Sequence, residues 1–213
     1  MKRISLIVPC LNEEEAIPAF KQEIDRVFKE CLEGYAPELI FVDDGSTDRS
    51  LEMIKKMAEH SPEVKFISFS RNFGKEAAIY AGLEAATGDY AAVMDVDLQD
   101  PPSLLPDMLK AIEKEGYDCA GTRRVTRQGE PLLRSFFARA FYKTIHQISD
   151  TRIVDGARDY KLMTRPVLEA LLSLKEYNRF SKGLYEWVGF RTKWFEYENV
   201  ERVVFLQAVP VLH

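Results

Sequence analysis

Cysteine, long apolar runs and glycine-rich phosphate loops are all scarce in this sequence, and each shortage removes a class of protein. Three cysteines in 213 residues, Cys10, Cys31 and Cys119, are too few and too scattered for a disulfide framework or a zinc site. They read as reduced, small apolar residues of a cytoplasmic chain. No apolar stretch approaches the roughly 20 residues that span a bilayer. Lys2 and Arg3 precede Ile4–Val8 in the manner of a signal peptide, but Pro9 ends the run and Asn12-Glu13-Glu14-Glu15 follows. That segment is a first strand. Basic residues are not in excess, and a net charge of −5 argues against a nucleic-acid partner. Neither G-x-G-x-x-G nor G-x-x-x-x-G-K-[ST] occurs, although Gly74-Lys75 is a fragment of the second. Dinucleotide-dehydrogenase and P-loop ATPase readings are weakened accordingly.

What is present is the composition of one ordinary globular domain, 46% apolar and 30% charged. Strands and helices alternate along the first part of the chain. Ile4–Val8, Leu39–Val42, Val64–Phe69, Tyr90–Met94 and Asp118–Gly121 read as strands. Helical spacing runs through Glu14–Leu32, around Leu51, Ile54 and Met57, and through Lys75–Ala86 and Ser103–Glu115. This alternation predicts an α/β fold, a mostly parallel sheet with helices on both faces. Ligands of such sheets sit beyond the carboxyl ends of the strands.

Three of those ends carry chemistry: Pro9–Glu13, Asp43–Asp48 and Asp95–Asp100. In the last, Asp95 and Asp97 follow an apolar strand and share its parity, so both carboxylates point one way. Such a pair persists beside something positive. With Gln99 it offers only hard oxygen ligands, few in number, which suit Mg²⁺ or Mn²⁺ when diphosphate oxygens and water complete the shell. Taken alone, each end has a plain alternative. Asp95–Asp100 can be a solvated acidic turn, Pro9 and Asn12 can shape a turn, and Ser46 or Thr47 can cap a helix.

Four segments occur together in a familiar order: Ile7-Val8-Pro9-Cys10-Leu11-Asn12-Glu13, Val42-Asp43-Asp44-Gly45-Ser46-Thr47-Asp48, Arg71-Asn72-Phe73-Gly74-Lys75-Glu76, and Met94 to Pro102. They resemble family-two, GT-A-fold glycosyltransferases, and most closely the polyprenyl-phosphate glycosyltransferase branch. Gly121-Thr122-Arg123, Asp159–Met163, Asn178–Gly183 and Trp187–Phe190 agree with it. The likeness covers about residues 3 to 203.

The resemblance implies a GT-A catalytic domain over 1–203 that transfers a sugar, with inversion, from a UDP- or GDP-sugar to a polyprenyl phosphate. Pro9, Leu11 and Glu13 would line the nucleotide pocket, with Asp43 or Asp44 at the base or ribose. Asp95 would meet the ribose or the metal, while Asp97 and Gln99 hold the metal. Arg123 would contact the diphosphate, and Lys75 and Arg202 join the donor-binding set. Asp159 would position the acceptor, or act as base if the acceptor were a hydroxyl. Its plain alternative is a surface ion pair with Arg158 or Lys161. Arg179 and Lys182 are candidate contacts for the lipid phosphate. The partners implied are a nucleotide-sugar, a polyprenyl phosphate and the cytoplasmic face of a membrane, with room for a homo-oligomer.

Two further segments matter. Residues 131–149 have a wide apolar helical stripe through Leu133, Phe137, Phe141 and Ile145, which suits a core-facing helix or one lying on a membrane surface. Residues 204–213 stand where members of the branch show a Gly-x-Ser/Thr-Lys run and then membrane helices. They read as a truncated or diverged tail. A glycosyltransferase acting on a sugar hydroxyl and a non-catalytic nucleotide-sugar-binding protein are the competing functions.

Overall fold

The computed structural model describes residues 1–124, 154, 156–176 and 179–197. The expected helix over 131–149, Arg202 and the tail lie outside the described residues. Within them the elements are β1 (Lys2–Cys10), α1 (Ala16–Cys31), β2 (Tyr35–Asp43), α2 (Ser50–His60), β3 (Val64–Ser68) and α3 (Lys75–Ala85). Then follow β4 (Tyr90–Val93), a 3₁₀ turn (Pro102–Leu104), α4 (Leu105–Glu115), β5 (Cys119–Arg124), β6 (Ala157–Thr164), α5 (Arg165–Ser173), α6 (Ser181–Trp187) and β7 (Thr192–Tyr197).

The strands form one sheet in the order β3-β2-β1-β4-β6-β5-β7. β1 pairs in parallel with β2 and β4, β2 with β3, and β5 with β7. β6 runs antiparallel to both β4 and β5. The mostly parallel α/β expectation holds; β6 and β7 lie beyond the strands expected from the sequence, and β6 breaks the parallel pattern.

Burial explains the layers. Ile4, Leu6 and Val8 of β1 enter one core with Ile17, Phe20 and Ile24 of α1, Ile54 of α2 and Leu105 and Met108 of α4. Ile7 enters the other, with Ala78, Ile79 and Leu83 of α3, Val167 and Leu168 of α5 and Tyr185 of α6. Alternating side chains of one strand thus feed both faces, as the pleat requires. α3 lies close on its face because residue 82 is glycine, where a Cβ would come within 2.3 Å of Ile7 Cγ2. The order of connection reverses between β1 and β4, since β2 and β3 lie on one side of β1 and β4 on the other. Sheets of this kind open a ligand crevice at that reversal.

Candidate active site

The crevice is there. A cavity of about 270 Å³ lies beyond β1 and β4, lined by Pro9, Cys10, Leu11, Glu13, Asp44, Asn72, Gly74, Lys75, Ala78 and Asp95–Asp97. Two loops beside it bond to each other. Asn12 N–H donates to Ser46 Oγ (3.0 Å), and Thr47 N–H donates to Asn12 Oδ1 (2.8 Å). Glu13 N–H reaches Ser50 Oγ (2.8 Å) and Arg49 N–H reaches Glu14 Oε2 (2.9 Å). Asn12, Ser46 and Thr47 therefore lock the β1–α1 loop to the β2–α2 loop. Neither Ser46 nor Thr47 caps α2 with its side chain.

Asp43 and Asp44 part company. Asp43 is buried, accepts from Ser46 N–H (3.3 Å) and Ser68 Oγ (3.4 Å), and is absent from the cavity lining. Asp44 does line it, and its two oxygens accept the N–H groups of Phe73 (2.7 Å) and Gly74 (2.9 Å). That latch fixes the loop that starts α3 and so the base of Lys75. Gly45 permits the close approach, since it has φ +76° and a Cβ there would stand 2.5 Å from Arg71 C.

Past β4, Asp95 and Asp97 both line the cavity, Leu98 takes a positive φ of 58°, and Gln99 N–H donates to Asp97 Oδ1 (3.1 Å). Gln99 itself does not line the cavity. β4 pairs with β6 so that Val93 faces Lys161 and Tyr90 faces Thr164. Continuing that register sets Asp95 opposite Asp159. Two carboxylates so placed repel, and Lys75 lies between them, its Nζ 2.6 Å from Asp95 Oδ1 and 2.6 Å from Asp159 Oδ2. Lys182 approaches the other oxygen of Asp159 at 3.7 Å. Burial works against a charged Asp159, yet Lys75 and Lys182 outweigh it and hold the carboxyl below its usual range. Burial likewise opposes the charge of Lys75, and Asp95 and Asp159 raise its pKa on balance.

Asp159 forms neither of the ion pairs its sequence neighbours suggest, with Arg158 or with Lys161. Arg158 points to the opposite face, as the neighbouring residue of a strand must, and meets buried Asp100 (Nε to Oδ1, 3.1 Å). Burial pushes the Asp100 carboxyl up to about 6 against the pull of Arg158. Lys161 shares the face of Asp159 but lies over the rings of Tyr185 (4.7 Å) and Trp194 (5.0 Å), with Glu186 at 3.4 Å. Arg179 is also committed elsewhere. It donates to the carbonyls of Leu174 (2.6 Å) and Leu171 (3.2 Å), closing α5, and stacks on Tyr80.

Arg123 lies at the same sheet edge but two strands from β4, paired with Glu196 of β7, and does not line the cavity. Among the described residues no group of three or more His, Cys, Asp or Glu is placed to hold a metal. The oxygens of Asp95 and Asp97 still suit a hard divalent cation that takes its remaining ligands from a diphosphate and water. Cys10, Asn72 and Ala78 are lining residues that motif reading did not single out. Cys10, between Pro9 and Leu11, and Asn72, next to Phe73-Gly74-Lys75, stood within motif segments of the sequence, whereas Ala78 carried no such signal.

Residues 5–172 match the family described as Glycosyl transferase family 2. The chain belongs to that family. Its arrangement is the GT-A fold that the sequence resemblance implied. Among relatives of this family 2 chain, putative glycosyltransferase CsbB of Bacillus subtilis is 44% identical over 199 residues, 93% of this chain and 59% of that protein. The prophage bactoprenol glucosyl transferase homolog of Escherichia coli is 41% identical over 94% of this chain and 65% of its own length. Bactoprenol glucosyl transferase of Shigella phage SfV is 42% identical, with 94% and 64% covered. The chain thus spans about six-tenths of the length of these relatives. A solved mannosyltransferase from Pyrobaculum calidifontis, in complex with GDP-Man and Mn²⁺, superposes with a TM-score of 0.60 at 21% identity, covering 97% of this chain and 58% of that one. Glucosyl-3-phosphoglycerate synthase from Mycobacterium tuberculosis, with Mn²⁺, UDP and phosphoglyceric acid, gives 0.56 at 23%, covering 79% and 58%. At that identity these two support the fold alone. Among the described residues no helix is long and apolar enough to cross a membrane.

Proposed function

We propose that this chain is the catalytic domain of an inverting glycosyltransferase that moves a sugar from a nucleotide-sugar to a polyprenyl phosphate at the cytoplasmic face of a membrane. The observation that carries the acceptor class is the pinning of Asp159 between Lys75 and Lys182. A general base works best with a pKa near the working pH, and a carboxylate held low by two ammonium groups is a weak one. A hydroxyl acceptor needs its proton removed. A phosphate monoester has its second pKa near 6, so it arrives largely as the nucleophilic anion, and the two lysines offer it positive charge. The relatives named bactoprenol glucosyl transferases support the same acceptor class.

On this reading the nucleotide lies over Pro9, Leu11, Glu13 and Asp44, and its diphosphate is directed toward Lys75 and the β4 end. Asp95 and Asp97 would hold a divalent cation, Mg²⁺ or Mn²⁺, which supplies charge neutralisation on the departing diphosphate; the neighbours solved with Mn²⁺ favour such an ion. Lys75 adds a second positive charge beside the leaving oxygen. The acceptor oxygen forms its bond to the anomeric carbon from the face opposite the breaking bond to the diphosphate, which inverts that centre. Asp159 keeps Lys182 oriented toward the acceptor phosphate.

The test supplies the chain, fused to membrane helices, with polyprenyl phosphate and labelled UDP- and GDP-sugars. Label should pass into organic solvent as a lipid product. Asp159→Asn should retain substantial transfer, because no proton must be taken. A loss on the order of a thousandfold, the scale of a removed base, would favour a hydroxyl acceptor instead. Binding of nucleotide-sugar without any turnover would favour a non-catalytic binding protein.

A further inference from the structure

Lys75 occupies the position of a counter-ion rather than that of an idle side chain. Asp95 and Asp159 arrive opposite each other from neighbouring strands, and the ammonium between them is 2.6 Å from each. Its backbone is fixed, because Gly74 N–H is latched to Asp44 and Lys75 opens α3. Its side chain is half-buried, keeping 42% of its exposure, and lines the cavity, so four methylenes can carry the charge elsewhere in that space. The contact that holds it uses an oxygen of Asp95, one of the two cavity carboxylates suited to a divalent cation. An ammonium and a divalent cation cannot sit on one carboxylate oxygen together.

We propose that Lys75 is a built-in placeholder for the cation, so that a diphosphate must draw its ammonium off Asp95 before a divalent ion can settle on Asp95 and Asp97. The proposal rests on the donor-site reading above and adds an order of events to it. With two protein carboxylates and a competing ammonium, the donor-free protein has little affinity for the ion. A diphosphate changes both terms, by attracting Lys75 and by bringing oxygen ligands of its own. By linkage, the factor by which diphosphate tightens the ion equals the factor by which the ion tightens diphosphate. Lys75 contributes to that factor, and removing it shrinks the coupling from the donor-free side. The device also keeps Asp95 and Asp159 neutralised when no ligand is bound, which is why the two acids can face each other at all.

The experiment measures Mn²⁺ binding to the purified chain by the electron paramagnetic resonance signal of free Mn²⁺, alone and with inorganic pyrophosphate. Without pyrophosphate, Lys75→Met should bind Mn²⁺ on the order of tenfold more tightly than wild type. Lys75→Gln, which keeps a polar chain without the charge, should do the same, and thermal unfolding checks that both variants fold. Lys182→Met removes a neighbouring charge that touches Asp159 but not Asp95, so it should tighten Mn²⁺ by less than about threefold. The gain in Mn²⁺ affinity on adding pyrophosphate should be smaller in Lys75→Met than in wild type. Equal Mn²⁺ affinity in wild type and both Lys75 variants overturns the proposal. So does a Lys182→Met gain equal to that of Lys75→Met, which would make the effect one of net charge rather than occupancy. Failure of the donor-site reading looks different: UDP and GDP would not bind wild type even with Mn²⁺, whatever Mn²⁺ alone does in the variants.

Discussion

Glu76 accepts hydrogen bonds from both the backbone N–H (3.1 Å) and the hydroxyl of Ser181, a residue 105 positions further along the chain. The bond ties the first turn of α3 to the start of α6. Lys75 and Lys182, the chain neighbours of that pair, are the two cations that meet at Asp159. The joint therefore sets how the donor side and the acceptor side of the site stand relative to each other.

Breaking the joint should show in both stability and chemistry. Glu76→Ala is expected to cost on the order of 1–3 kcal/mol, the scale of hydrogen bonds to a charged group. Nucleoside diphosphate binding should persist while transfer falls, because Lys182 loses its placement and the β4 end does not. Paired thermal unfolding and transfer assays check this. Unchanged transfer in a destabilised variant would make the joint purely structural.

Asp97 lines the cavity and is not drawn into the Lys75 bridge. Asp97→Ala should remove the Mn²⁺-dependent part of nucleoside diphosphate affinity and leave the metal-free part nearly intact. Titration calorimetry with and without Mn²⁺ reads both. Identical metal responses in variant and wild type would take Asp97 out of the metal site.

Asp44 has two jobs in this geometry, wall of the cavity and latch on Phe73 and Gly74. Asp44→Ala should weaken nucleoside and nucleoside diphosphate alike, because the loop that carries Lys75 is released along with the wall. Loss confined to the diphosphate would assign Asp44 to the latch alone and leave the base to other residues.

At the opposite end of the sheet, Glu38 is buried and accepts from Lys65 Nζ (2.5 Å), Thr87 Oγ1 (2.6 Å), Thr87 N–H (2.9 Å) and the Ser5 hydroxyl. Burial would raise its pKa, but those bonds win and hold it at about 2. A carboxyl depressed in the folded state stabilises the fold above its unfolded value near 4.3, and that contribution disappears as pH falls toward 2. At neutral pH it is on the order of 3 kcal/mol. Urea unfolding of wild type should therefore weaken steeply between about pH 5 and 2, and Glu38→Gln should start less stable and lose less over that range. Parallel pH slopes for the two proteins would show that Glu38 does not carry the acid response.

Sequence by itself determined the alternation of strands and helices, because periods of 2 and 3.6 are local properties of the chain. It also placed Pro9–Glu13, Asp43–Asp48 and Asp95–Asp100 at strand ends, and since consecutive parallel strands end on one edge, it brought those three groups together. It did not determine β6, whose partners in β4 lie some 70 residues earlier. Nor did it determine what Asp159 meets. The nearest basic residues in sequence were Arg158 and Lys161, but the pleat turns Arg158 to the other face and Tyr185 and Trp194 cage Lys161. The true partners, Lys75 and Lys182, belong to two helices packed on the same face of the sheet. Arg123, read from its motif as a diphosphate ligand, is drawn to Glu196 by the β5–β7 register. Which charges face each other is set by strand order and register, properties of the whole sheet that no local stretch of sequence contains.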